Sequence, residues 1–316
     1  MTDAWQPMLA TMGSVEALGP DEGQWHFEVK WDGYRALVHQ TSDHSLRLRS
    51  RGGLDLAPSY PELREVQELL QGQDVVLDGE IVALTADGRS DFELLQNHGR
   101  AGSSGAHLML FDLLHLDGHD LLRMPYLQRR ELLLALVGRG TAHVHVPETF
   151  GPERELALTA SGQLRLEGLV AKRVGSTYQP GRRSEDWVKI KNVFTQEVVV
   201  VGWSRGSGNR SHGLGSVLLA VPDESGVLHC VGSAGSGFSV AAQQEARERL
   251  ALCEVDHNPG VVGVRPAESR GLTWVRPGLA AEVSHSMWTA AGRLRHPVWR
   301  GWRDDLDPMN IVRGEG

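Results

Sequence analysis

Lysine is nearly absent from this 316-residue chain: of 32 Lys plus Arg only four are lysines, Lys30, Lys172, Lys189 and Lys191, leaving 28 arginines. Ordinary positive charge is therefore carried by arginine, which stays protonated and cannot act as a nucleophile, whereas a lysine amine can lose its proton where its surroundings depress its pKa. The four spared positions are the first places to expect chemistry. Cysteine is scarcer still. Two residues, Cys230 and Cys253, cannot build a disulfide framework and lack metal-ligand spacing, so they read as small core or surface residues in a reducing compartment. No run approaches the roughly 20 apolar residues of a membrane span, and the opening MTDAWQPMLATMGS has neither the apolar core nor the basic start of a secretory signal. A cytoplasmic protein without membrane contact is expected. Positive charge is in deficit, 32 basic against 40 acidic residues for a net of −8, which argues against nonspecific coating of nucleic acid but leaves room for a local basic track. Residues 193–316 hold 12 Arg and 13 Asp plus Glu, a net of −1, and residues 1–192 hold the other 20 basic and 27 acidic residues, a net of −7.

What is present is the composition of an ordinary globular protein, 41% hydrophobic and 23% charged, with length for two domains. Through residue 192, the segments WHFEVKW, LRLRSR, DVVLDGEIVAL, AHLMLFDLL, EGLVAKR and DWVKIKN read as strands from their alternation or short apolar runs. Between them YPELREVQELLQ and PYLQRRELLLALVG carry apolar residues at helical spacing, each with a proline near its start. The pattern is α+β with antiparallel strands. From Gln196 onward short β-runs separated by Gly and Ser, with one helix at SVAAQQEARERLALC, predict a small β-barrel. The boundary falls near residues 192–195, with no long linker, repeat or low-complexity tract.

The lysines sit in strands or at strand ends, beside acidic or aromatic residues. Lys30 is followed by Asp32, Gly33 and Arg35, so a turn brings a carboxylate, a flexible backbone and a guanidinium around one amine. Lys189 and Lys191 alternate in WVKIKN and project to the same face of a strand, which is costly without an anion between them. A triphosphate is such an anion. Glu80 in LDGEIV and Glu167 in LEGLVAKR lie in apolar strand contexts, where a carboxylate needs a metal, a ribose hydroxyl or a cation as partner. HVHVP around His143 and His145 reads as one face of a strand, and GSGNRSHGLGS, without phosphate-loop spacing, as a strand-connecting loop.

Taken in order, KWDGYR at 30–35, LRSRGG at 48–53, LDGE at 77–80, LFDLLHLDG at 110–118, EGLVAKR at 167–173, WVKIK at 187–191 and RLRHPVWRGWRDD at 293–305 resemble the covalent nucleotidyltransferases. The chain is most similar to the ligase domain of bacterial ATP-dependent DNA ligases of non-homologous end joining. The resemblance runs over nearly the whole chain. It implies a nucleotidyltransferase domain, ATP-grasp-like antiparallel sheets with helices, at 1–193, followed by an OB-fold β-barrel at 194–316.

The resemblance also implies roles. Lys30 attacks the α-phosphate of ATP to give a lysyl-AMP phosphoamide; AMP passes to the 5′-phosphate of a nick and is displaced by the 3′-hydroxyl. Glu28 lies where the family recognises adenine and Phe111 where an aromatic ring stacks on it. Arg51 and Glu80 occupy ribose-holding positions, Asp32 and Arg35 sit beside the reacting groups, and Glu167, with Glu80, matches a carboxylate that binds Mg²⁺ or Mn²⁺. Lys189 and Lys191 match the pair that holds the α-phosphate, and Lys172 assists there. The closing motif of the family reads Arg-x-Asp-Lys; here Arg303 and Asp305 are kept and Leu306 stands in place of the lysine. With Arg303 contacting the phosphates, the missing ammonium implies slow self-adenylation, which Leu306→Lys should speed. The implied partners are nicked or broken double-stranded DNA, a Ku-type end-binding protein and a separate repair polymerase. The implied setting is a cytoplasmic monomer, nucleoid-associated when on DNA. An RNA ligase or capping-type transferase, and a catalytically silent end-binding scaffold, are the alternatives. The first is disfavoured by the match in the barrel segment, the second because a scaffold would tolerate arginine at the lysine positions.

Overall fold

The computed structural model describes residues 5–98, 105–206, 213–289 and 291–314. Most of the loop expected around 206–216, residues 207–212, lies outside the described residues. The chain divides into two compact units, Met1–Asn192 and Val193–Gly316.

The first unit holds strands β1 (Leu9–Met12), β2 (Trp25–Val29), β3 (Tyr34–Gln40), β4 (Leu46–Ser50), β5 (Val75–Ala83), β6 (Ala106–Leu116), β7 (His119–Asp120), β8 (Val144–His145), β9 (Gly168–Arg173) and β10 (Arg183–Lys191). They form two sheets, in the orders β1-β10-β9-β2 and β4-β3-β5-β6-β7, with β8 added to β6. The antiparallel expectation needs correction at two edges, since β1 runs parallel to β10 and β8 parallel to β6. All six strands expected in this part form, and β3, of which only Tyr34 and Arg35 fell within a motif, joins them. Glu167, expected within a strand, immediately precedes β9. His143 and His145 flank Val144, and both rings lie 5.5 Å from His107 on β6.

Met8, Leu37, Val76, Phe111, Leu114, Tyr178 and Trp187 make one buried cluster that joins the two sheets, because Leu37, Val76, Phe111 and Leu114 belong to β3, β5 and β6 and Trp187 to β10. Packing apolar faces in this way removes them from water and fixes the separation of the polar ends that border the cluster.

Helices α1 (Val66–Leu70), α2 (Phe92–Gln96), α3 (Tyr126–Val137) and α4 (Arg154–Gln163) surround the sheets. The helix expected at 60–71 is a 3₁₀ turn over Pro61–Glu65 followed by the short α1. In α3 the apolar spacing misleads. Its buried residues are Tyr126, Arg129, Arg130, Leu133 and Val137, while Leu132 and Leu134 are exposed. Two buried arginines on a helix face require carboxylates beneath them.

The second unit is a half-barrel with strands β11 (Phe194–Arg205), β12 (Leu214–Pro222), β13 (Leu228–Ala234), β14 (Glu254–Val255), β15 (Leu272–Val275), β16 (Ala280–His285), β17 (Met287–Trp288), β18 (Leu294–Arg295) and β19 (Val298–Trp302). Strand β11 is long enough to serve both sides: residues 194–199 pair with β16, residues 202–204 with β15, and β12 lies along its other edge. Register shifts at Val200/Gly202 and Ser204/Arg205 bend it, which is how a sheet curls towards closure. All four residues of its Val198–Val201 run are buried. Helix α5 (Val240–Ala251) occupies the expected place, with the Ser239 hydroxyl accepting from the Ala242 N–H at 3.1 Å as its cap.

Candidate active site

The pairing of β2, β9 and β10 puts the sequence's rare lysines on one surface. Glu28 faces Val170, which faces Lys189; two residues along, His26 faces Lys172, which faces Trp187. Side chains alternate along a strand, so Glu28, Lys172, Trp187, Lys189 and Lys191 share one sheet face. The Lys30 N–H donates to the Gly168 carbonyl at 3.0 Å, which extends the β2–β9 pairing to the fourth lysine.

Two glycines make this possible. Gly168 has φ 151° and a Cβ there would lie 2.1 Å from the Ile190 carbonyl oxygen, so β9 can approach β10 only without a side chain. Gly33, in the turn after Lys30, would place a Cβ 2.0 Å from the Ile81 carbonyl oxygen. That turn therefore rests directly on β5.

A cavity of about 270 Å³ opens on this face, and eight of the sequence-predicted residues line it: Glu28, Lys30, Arg35, Arg51, Glu80, Phe111, Lys172 and Lys189. Arg183, Trp187 and Met8 join them and were not foreseen. Lys30, Arg35, Arg51, Lys172, Arg183 and Lys189 give six cations, against Glu28 and Glu80, an excess of four positive charges, 6 − 2, when both carboxylates are ionised. The lining is built for a polyanion. Burial, together with Lys30, Arg183 and Lys191, holds the Lys189 ammonium below its usual pKa, the signature of crowded cations.

Four sequence-predicted residues stand elsewhere. Asp32 is buried, with its N–H on the Ser90 hydroxyl at 3.1 Å, and is not part of the cavity lining. Lys191 and Glu167 lie just outside it. The Glu167 carboxylate accepts from the Lys30 ammonium in a short contact and has the Lys191 ammonium 3.4 Å away, so two lysines share it. Arg303 belongs to the second unit. Its guanidinium makes a bidentate pair with Asp305 at 2.8 Å on both arms and lies 3.3 Å from both Glu197 and Glu282. Three carboxylates of its own unit thus hold the fork that the motif assigns to phosphate contact. Leu306 packs against the barrel core, so Leu306→Lys withdraws an apolar contact as well as adding a charge. The variant should lose about 1 kcal/mol, read as a lower thermal midpoint alongside the labelling rate.

Arg35 is fixed from below. Its Nε and Nη2 donate to Asp78 at 2.5 and 2.6 Å, Asp78 is fully buried, and the Tyr178 hydroxyl donates to Asp78 at 2.5 Å. The guanidinium carbon stands 4.5 Å from the Phe111 ring centre, and the Lys172 ammonium 4.4 Å from the same centre. Asp78 lies inside the LDGE motif, to which the sequence assigned a role only at Glu80.

Glu80 is half-buried, and burial pushes its carboxyl up to about 7, with Arg35 and Lys30 pulling the other way. An acid whose folded pKa exceeds its unfolded value costs stability once the unfolded chain ionises. The cost is absent below pH ~4.5 and complete above pH ~7. Glu80→Gln should therefore raise stability by on the order of 3 kcal/mol at pH 8 and leave it unchanged at pH 4. Urea titrations at the two pH values check this; an equal effect at both would mean burial does not govern the group.

No three His, Cys, Asp or Glu groups among the described residues converge as a metal cage. Glu80 and Glu167 are close enough to influence each other's charge. One or two carboxylates are what Mg²⁺ takes from a protein when phosphates supply the rest, so this donor pair fits an ion carried in on a triphosphate.

Comparison with known proteins decides the family. Residues 7–191 match the ATP dependent DNA ligase domain and residues 210–306 the ATP dependent DNA ligase C terminal region. The chain belongs to the ATP-dependent DNA ligases. This ligase is 44% identical over 312 residues to the multifunctional non-homologous end joining DNA repair protein LigD of Mycobacterium tuberculosis, covering 98% of the chain and 40% of that protein. It thus spans about two fifths of the length of the LigD relatives it matches. It is 32% identical to DNA ligase C1 of Mycolicibacterium smegmatis, covering 97% of the chain and 92% of that protein. The solved ligase domain of M. tuberculosis LigD matches at TM-score 0.58 and 43% identity, over 99% of this chain and all of that one. A mycobacterial DNA ligase D solved with ATP matches at TM-score 0.59 and 42% identity, with the same coverage. The fold is accordingly a nucleotidyltransferase fold followed by an OB-fold barrel.

Proposed function

We propose that this ligase seals 3′-hydroxyl/5′-phosphate nicks in double-stranded DNA through a Lys30-AMP intermediate, with residues 1–193 as adenylation domain and 194–316 as OB-fold domain. The observation that carries the proposal is the gathering of Lys30, Lys172, Lys189 and Lys191 on one sheet face of a chain that uses arginine everywhere else.

ATP enters with its triphosphate among Lys30, Lys189 and Arg183. Glu28 and Phe111 meet the base, and Arg51 and Glu80 the ribose. The Lys30 amine forms the N–P bond to the α-phosphorus while the bond to pyrophosphate breaks. Glu167, which already accepts from the Lys30 ammonium, is placed to take the proton that must leave first. Lys189 and Lys191 stabilise charge that grows on the phosphoryl oxygens. Mg²⁺ or Mn²⁺ held by Glu80 and Glu167 would supply further neutralisation there. AMP then moves to the 5′-phosphate, and the 3′-hydroxyl displaces it. Arg35 is held in place by Asp78, with its guanidinium against the Phe111 ring.

The likeness to LigD supports a role in end joining, with broken duplex DNA as substrate and a Ku-type end-binding protein and a repair polymerase as partners of a cytoplasmic monomer. The test is incubation with α-labelled ATP and a divalent metal, denaturing electrophoresis, and addition of a nicked duplex. Label should remain on the protein until the nick is added. Label that never attaches to protein would overturn the proposal.

A further inference from the structure

Glu28 is 7% exposed yet lines the cavity, and three donor groups converge on its carboxylate. The Tyr126 hydroxyl donates to Oε1 in a short hydrogen bond, the Arg130 Nη1 stands 3.5 Å from the same oxygen, and the Lys172 ammonium stands 2.8 Å from Oε2. Burial alone would raise this carboxyl, but the Lys172 and Arg130 charges and the hydrogen bonds from Lys172 and Tyr126 outweigh it and hold it below the ordinary glutamate range. An ionised carboxylate is acceptor-only, with about four lone-pair positions. Tyr126 and Lys172 take one position on each oxygen, with the Arg130 charge beside Oε1, and what remains can receive only a donor from whatever fills the cavity.

Tyr126 and Arg130 are part of the buried face of α3, not of the cavity lining. The helix start is tied down independently, the Tyr126 N–H donating to the Ser176 carbonyl at 2.9 Å and the Leu127 N–H to the Val174 carbonyl at 3.2 Å. An Arg130 Nη2 bond to the Pro147 carbonyl anchors the second residue. Both residues are thus anchored by contacts within the protein itself.

We propose that Tyr126 and Arg130 are positioning residues that fix Glu28 as an acceptor for the exocyclic 6-amino group of the base, and so set the preference for adenine over purines lacking that donor. The inference rests on the cavity being the nucleotide site. A 6-oxo group presents lone pairs to the same carboxylate and is opposed, and a purine with hydrogen at position 6 simply forgoes the bond. If the carboxylate is free to swing, the preference weakens although the site can still be filled.

The test compares self-adenylation of the full chain with ATP and with purine riboside 5′-triphosphate, which differs only in lacking the 6-amino group. The wild type should show a KM for ATP roughly 10-fold below that for the analogue, as one charge-assisted hydrogen bond predicts. Tyr126→Phe keeps the buried ring; it should raise the KM for ATP by most of that factor and leave the analogue's KM and both maximal rates unchanged. In a Glu28→Gln background the same change should add nothing. A Tyr126→Phe enzyme weakened equally towards both nucleotides, or slowed at saturation, would assign Tyr126 a merely structural role and overturn the proposal. Equal KM values in the wild type would overturn it as well, since Glu28 would then not read the amine. Absence of protein-bound label with either nucleotide would instead sink the underlying nucleotide-site reading.

Discussion

Lys30→Arg should leave a folded protein that takes no label from ATP, a loss of at least about 10³-fold, while sealing of a nick that already carries AMP persists. The substitution keeps a positive charge opposite Glu167, so the contact that anchors residue 30 survives in kind. Attraction between the cavity and the triphosphate survives too, because Arg35, Arg51, Lys172, Arg183 and Lys189 are untouched. What disappears is the lone pair: a guanidinium does not give up its proton near neutral pH, and its electrons are delocalised over the plane. The deficit therefore falls on bond formation and not on binding. Labelling by α-labelled ATP and closure of a pre-adenylated nick, measured in parallel, separate the two. Wild-type labelling of the variant would remove Lys30 from its role, and loss of both activities would point to a damaged site.

The scarcity of lysine pointed to Lys30, Lys172 and Lys189 of the cavity lining and the motifs around the lysines to Arg35 and Glu80, whereas Glu28, Arg51 and Phe111 were named only by the family resemblance. Four lysines against 28 arginines mark positions where arginine does not serve, and strand alternation then put Lys189 and Lys191 on one face. Glu28 and Lys172 met in the same way, through register between β2 and β9 that their apolar neighbours enforce. The supporting residues were not legible. Asp78, Tyr178, Arg129 and Arg130 act through contacts 43, 100, 17 and 102 positions distant in the chain, counted between Arg35 and Asp78, Tyr178 and Asp78, Arg129 and Asp112, and Arg130 and Glu28, which no local period encodes. The helix α3 shows the failure most clearly. RRELLLALV carries enough leucine to suggest that leucine faces the core, yet two arginines do so, because carboxylates on β2 and β6 wait for them. The partners of Arg303 were no more legible: its motif speaks only of phosphate contact, while Glu197 and Glu282, far away in the chain, hold its guanidinium together with Asp305.

Asp112→Ala should cost the protein about 3–5 kcal/mol, the largest stability effect expected of any single change considered above. Asp112 and Arg129 are both 0% exposed and form a bidentate pair, Nε to Oδ1 at 2.8 Å and Nη2 to Oδ2 at 2.9 Å. The third nitrogen of Arg129 is satisfied by the Ser176 carbonyl at 3.1 Å and by the Met124 carbonyl, and the Leu113 N–H donates to Asp112 at 3.0 Å. Burial pushes the Asp112 carboxyl up, while its hydrogen bonds and charge contact with Arg129 work against that rise. The pair as a whole adds little, because desolvation offsets attraction, but removing one partner strands a guanidinium that has nowhere to ionise cheaply. The consequence reaches the site. Arg129 and the Tyr126 N–H both hold Ser176, and two residues on Tyr178 supports Asp78 and through it Arg35. Slackening of that segment should lower adenylation even below the melting transition. The double variant Asp112→Leu with Arg129→Met, which removes both charges at similar volume, should recover most of the lost stability. Urea denaturation of the single and double variants decides: a single-variant loss under 1 kcal/mol, or a double variant no better than the single, would mean that shape and not an unpaired charge sets the cost.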